Sequence, residues 1–97
     1  MAAPASAGEG STQEVVIQNR LGLHARPAAM FVREANRHPC DIHVEKDGET
    51  INGQSIMGLM MLAAGMGSKI RIHAQGAGSS EALKSLLALV ERKFDEE

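Results

Sequence analysis

The chain has 97 residues, 43% of them hydrophobic and 23% charged, with a formal net charge of −2; this is enough for one domain around a single modest core. The charge balance lacks the basic surplus of a nucleic-acid binder, and Phe31 and Phe94, the only aromatic residues, make no stacking platform for single strands. The N-terminus has no secretory pattern, no apolar run approaches the ~20 residues a membrane span needs, and the single cysteine, Cys40, excludes an internal disulfide and fits a reducing cytoplasm.

Residues 1–12 are rich in Ala, Gly, Ser and Pro and carry no patterned apolar face, so they are expected to be a disordered tail, with the domain spanning 13–97. Glu14 to Gln18 reads as a strand that runs into the glycine loop at Gly22. From Ala25 the period changes: Ala28, Phe31, Val32 and Ala35 recur at helical spacing, Pro27 sits in the first turn, and Pro39 closes the segment. Asp41–Glu45 alternates, Asp47-Gly48 supplies a hairpin turn, and Glu49–Asn52 returns. Ser55 then caps a short helix that carries Ile56, Met57, Leu59, Met60, Met61 and Leu62. Lys69–Ala74 is a further alternating strand, and a last helix runs from Ser79 or Ser80 to near Lys93, with Leu83, Leu86, Leu87 and Val90 on its apolar stripe. The order βαββαβα, with every strand alternating, predicts an antiparallel sheet covered by helices on one face, a two-layer α+β domain.

His24 is the first candidate for chemistry. It stands where a strand stops and a helix begins, in Gly22-Leu23-His24-Ala25-Arg26-Pro27. A helix start offers unpaired backbone N–H groups and a partial positive charge, and Arg26 adds a permanent cation suited to phosphate. Imidazole is a competent nucleophile near neutral pH. The plain alternative is a capping or solvent-exposed histidine with no chemistry. Ser55 is an N-cap by position, and a phosphate there would be tolerated. Ile56, Met57, Met60 and Met61 cannot all face inward on one short helix: either the core is thick there, or part of that surface is an exposed patch for a partner. His38, Cys40 and His43 match no standard zinc spacing, His73 falls on the polar face of its strand, and no metal or cofactor is expected.

Two motifs, Gly22–Ala28 and Asn52-Gly53-Gln54-Ser55-Ile56-Met57-Gly58-Leu59-Met60, place His24 and Ser55 thirty-one residues apart. With the βαββαβα order, the stretch from Gln13 to Phe94 resembles the HPr family, the histidine-containing phosphocarriers of the bacterial phosphotransferase system. The resemblance implies an open-faced β-sandwich with strand order 1-4-2-3. It also implies a phosphoryl group taken by His24 on Nδ1 from enzyme I and passed to an enzyme IIA domain. By the same resemblance Arg26 is the active-site arginine, Ser55 the serine that HPr kinase/phosphorylase modifies in many bacteria, and Ile56, Met57 and Met60 the partner-docking surface. A cytoplasmic monomer that binds neither nucleic acid nor membrane is the corresponding expectation, and a regulatory protein-binding module is the alternative. The Met60–Gly65 run and the acidic C-terminal end are similar to the nitrogen-type branch.

Overall fold

Alternating apolar and polar residues give each extended segment one face to bury, and the helices supply the cover. The computed structural model describes residues 10–96. In chain order these form β1 (Gly10–Val16), α1 (Ala25–Ala35), β2 (Asp41–Lys46), β3 (Glu49–Asn52), α2 (Ile56–Met61), β4 (Lys69–Gln75) and α3 (Ser79–Glu91), followed by a 3-10 turn at Lys93–Asp95. The strands make one antiparallel sheet in the order β1-β4-β2-β3. The α+β architecture is the one the alternation led us to expect, and the 1-4-2-3 order is the one the resemblance implied.

The core sits between the sheet and the helices. Ile42 and Val44 of β2 and Ile70, Ile72 and Ala74 of β4 point into it, met by Ala28, Phe31 and Ala35 of α1, Leu59 of α2, and Leu83, Leu86 and Val90 of α3. Asp47 (φ 52°) and Gly48 (φ 84°) both adopt positive φ, the signature of a type I′ turn, whose twist matches that of the flanking strands. It sets the β2–β3 register, in which Val44 lies opposite Ile51. Among the described residues no helix is long and apolar enough to cross a membrane.

Three boundaries differ from expectation. Gly10, Ser11 and Thr12 pair with Gln75, Ala74 and His73, so the sheet begins three residues before Gln13. An edge strand needs only backbone partners, and its polar side chains hid it. The rest of the expected tail, residues 1–9, lies outside the described residues. At its other end β1 stops at Val16, although the Ile17 N–H still donates to the Ser68 carbonyl at 2.9 Å. The third difference is in α3, which stops at Glu91; its buried stripe takes in Ala82 and Leu89, while Leu87 is only partly buried.

Beyond α3, Lys93, Phe94 and Asp95 all take left-handed φ values of 59°, 54° and 59°. This costs a non-glycine residue about 1–2 kcal/mol apiece and is offset by the complete burial of Phe94. Phe94→Ala should therefore lower unfolding stability by about 3–5 kcal/mol in a denaturant titration. A loss under 1 kcal/mol would show that this aromatic does not anchor the C-terminal turn.

Candidate functional site

The loop between β1 and α1 is held by backbone contacts with the loop that follows α2. The Leu23 N–H donates to the Ala64 carbonyl at 2.9 Å, and Gly22 (φ +69°) lies so close that a Cβ there would run into the Ala64 oxygen and sit 2.7 Å from the Gly65 Cα. Only glycine combines that φ with that approach. Asn19, wholly buried, closes the loop from inside by donating from Nδ2 to the Gly22 carbonyl at 2.8 Å.

This loop delivers His24 to the N-cap of α1. Its backbone is extended (φ −78°, ψ −170°), and its side chain makes no capping hydrogen bond. Its carbonyl accepts from the Ala28 N–H at 2.9 Å, and Pro27 has no N–H to offer. The first turn therefore presents the amides of Ala25 and Arg26 without intrahelical partners. The half-buried imidazole extends from that end of the helix, and Arg26 beside it is exposed. Two free backbone amides, the positive end of the helix and the cation of Arg26 thus lie within the first turn that His24 caps, a setting that favours an anion.

Two further residues, which sequence reasoning did not find, complete the site. Glu96 Oε1 lies 3.2 Å from His24 Nε2 and accepts from Asn19 Nδ2 at 3.0 Å. The hydrogen bonds from His24 and then Asn19 hold the Glu96 carboxyl below its ordinary value, against the opposition of burial and with smaller contributions from the charges of His24 and Arg26. The buried Oδ1 of Asn19 has no partner among the described residues. Asn19 lies in the loop between the first strand and Gly22, and Glu96 in the acidic end. The signal for Glu96 was Phe94, an apolar residue placed to turn the chain back onto the core.

Ser55 is the N-cap of α2, its Oγ accepting from the Gly58 N–H at 3.0 Å. Ile56, Met57, Met60 and Met61 are exposed, Met57 by 70%, while Leu59 is buried. Four large apolar side chains of one short helix are therefore left facing solvent. Met60 joins Leu21, Leu23, His24, Ala63, Ala64 and Gly65 in lining a groove of about 280 Å³. The structure thus brings His24 and Met60 to one depression, with Ser55 at the start of the helix that carries Met60.

The other histidines are elsewhere. His38 faces Glu34 at 3.4 Å, and His73, read from the sequence as a plain surface residue, is bonded to both Glu45 and Thr12 across the sheet. Cys40 is buried just before β2, and desolvation pushes its thiol up, away from a thiolate ligand. Among the described residues no three His, Cys, Asp or Glu side chains are grouped to hold a metal ion.

Comparison with known proteins shows the family. A family model described as PTS HPr component phosphorylation site matches residues 11–92. This chain belongs to the HPr family. It is 48% identical over 84 residues to the phosphocarrier protein HPr of Pseudomonas aeruginosa, covering 86% of this chain and 93% of that protein. The crystal structure of an HPr from Bacillus anthracis superposes with a TM-score of 0.80 at 51% identity, covering 84% of this chain and 96% of that one. Crh of Bacillus subtilis, whose crystal structure is described as a swapped dimer, gives a TM-score of 0.70 at 48% identity, over 84% of this chain and 93% of that one. The HPr family is one of phosphocarriers of the phosphotransferase system, which work with the other proteins of that system.

Two outcomes follow from this geometry. Gly22→Ala should destabilise the domain by more than the ~1 kcal/mol typical of a point mutation, and should broaden or shift the His24 ring resonances; wild-type stability would show that the loop has slack. Because folding lowers the Glu96 pKa, Glu96 contributes stability that is present above its unfolded value and lost as pH falls through its folded value. The stability difference between wild type and Glu96→Gln should accordingly shrink as pH falls from neutral through the carboxylate range. A difference that grows on acidification would contradict the sign.

Proposed function

We propose that this HPr-family chain is a phosphocarrier of the phosphoenolpyruvate-dependent phosphotransferase system, accepting a phosphoryl group on His24 from enzyme I and passing it to an enzyme IIA domain. The observation that carries this reading is His24 at the N-cap of an eleven-residue helix, its ring outside the cap and Nε2 facing Glu96. With Nε2 occupied, Nδ1 is the nitrogen left to attack. Its lone pair forms the bond to phosphorus as the donor's bond to phosphorus breaks and returns its electron pair to the donor. The amides of Ala25 and Arg26 and the guanidinium of Arg26 then hold the phosphoryl oxygens. This stabilisation is limited by design of the site: two amides and one exposed cation hold the group without trapping it.

The groove beside His24 and the exposed Ile56, Met57 and Met60 form the docking surface in this reading, bringing a partner's acceptor group to the ring. Ser55, at the head of the same helix, is the regulatory position: a phosphate in place of its capping hydroxyl would put two negative charges at the edge of that surface and slow transfer through His24, as HPr kinase/phosphorylase does in many bacteria. The protein acts as a cytoplasmic monomer, presenting one face to successive partners. The exposed methionines also favour a second reading, in which the chain is a regulatory binding module whose affinity follows its phosphorylation state.

Incubation with enzyme I and labelled phosphoenolpyruvate should give an acid-labile, base-stable label on the protein. His24→Ala should abolish it, and a normally labelled variant would overturn the assignment. Arg26→Ala should slow transfer by on the order of 10²-fold with the fold intact; unchanged kinetics would remove Arg26 from the site. A partner that binds the unmodified, His24-phosphorylated and Ser55-phosphorylated forms equally well would exclude the regulatory reading.

A further inference from the structure

Glu96 is five residues past the end of α3, yet its carboxylate reaches the imidazole that the phosphocarrier reading makes the nucleophile. A carboxylate has no hydrogen to give, so at 3.2 Å the hydrogen bond requires a proton on His24 Nε2. A neutral imidazole carries one N–H, which leaves Nδ1 with its lone pair at the helix start. Asn19 holds the carboxylate in place, one of its Nδ2 hydrogens going to the Gly22 carbonyl and the other to Glu96 Oε1. Phe94 pins the turn from the core side.

We propose that Glu96, held by Asn19, is a positioning residue for phosphoryl transfer through His24, fixing the Nε2–H tautomer and steadying the positive charge the ring gains as Nδ1 bonds phosphorus. The inference rests on the phosphocarrier reading above. Attack by Nδ1 makes an N-phosphoimidazolium, and the Nε2–H···carboxylate contact becomes a charge-assisted hydrogen bond. On onward transfer the Nδ1–P bond breaks, its electron pair returns to Nδ1, and the ring leaves as the neutral Nε2–H imidazole. No proton has to move in either direction. The carboxylate therefore serves capture and release alike, as a carboxylate behind a catalytic histidine does in a Ser-His-Asp triad.

Two features argue against a merely structural contact. Partly exposed ion pairs such as this one add only a little stability, so its small contribution to folding does not account for it. Asn19 is also kept fully buried although its Oδ1 has no partner among the described residues. An apolar residue could fill that space, but it could not hold Gly22 and Glu96 at once. The other ionisable group acting on Glu96 is Arg26, which neutralises part of the charge the carboxylate would set against an incoming phosphoryl group.

The test compares wild type with Glu96→Gln and Glu96→Asp, reading the His24 tautomers by ¹⁵N NMR of the unphosphorylated protein and phosphoryl transfer from enzyme I across pH. Glutamine can accept or donate, so Glu96→Gln should raise the fraction protonated on Nδ1 several-fold and slow transfer by about tenfold. It should also change the shape of the pH profile, and Glu96→Asp should recover part of both effects. Melting temperatures within a few degrees of wild type would separate these effects from loss of fold. An unmoved tautomer ratio, or a shifted ratio with transfer unchanged at every pH, overturns the inference. If the ratio is unmoved while His24→Ala abolishes labelling, the inference alone falls. If the ratio shifts while His24→Ala is still labelled, the phosphocarrier reading falls and takes this role with it.

Discussion

The close approach of Gly22 to the Ala64 carbonyl is the constraint on which the site depends. It locks the loop before α1 to the loop after α2, and one backbone hydrogen bond, from Leu23 N–H to the same carbonyl, secures it. Ala64 is presented there because α2 ends on Leu62 and the chain turns through Ala63 in the left-handed region (φ 53°). That strained residue closes the helix as an αL cap. The positions of His24, Met60 and the groove between them all follow from this single backbone junction. A side chain at residue 22 would push the histidine and the methionine surface apart.

Around that junction the proposed function separates chemistry from recognition. The start of α1 supplies amides, a dipole and Arg26, and its third helical residue, Pro27, removes one donor that would otherwise compete for the anion or go unsatisfied. The short α2 has one buried residue, Leu59, and offers almost everything else to solvent. A helix so poorly anchored by its own side chains depends on its cap, and Ser55 is that cap. Modification of the Ser55 hydroxyl would act on the structure of the docking helix as well as on its charge.

Much of the fold was legible because local signals agreed. The I′ turn at Asp47-Gly48, the cap at Ser55 and the apolar faces of β2, β4 and α1 all follow from nearest-neighbour chemistry. The start of β1 did not, since Gly10–Gln13 has no apolar alternation and becomes a strand only because β4 offers an edge. Nor was the sheet order deducible from alternation, which says that a strand has a buried face but not which neighbour it meets; the resemblance supplied it. In the site, His24, Arg26 and Ser55 were legible from motifs each only a few residues long. Asn19 and Glu96 were not, because their roles arise from a contact between residues 77 apart in the chain.

By itself the sequence determined that a histidine opens an amphipathic helix beside an arginine, and that a short methionine-rich helix follows a serine cap. These are properties of residues within one or two turns of one another, set by backbone geometry and side-chain polarity. Only the tertiary structure decided that the two helices share a groove, that Gly22 must be glycine because of Ala64, and that Glu96 returns to face Nε2 of His24. Those facts depend on β4 lying between β1 and β2 and on Phe94 turning into the core. Long-range packing of this kind leaves no periodic mark along the chain, since each partner looks ordinary until the other is brought beside it.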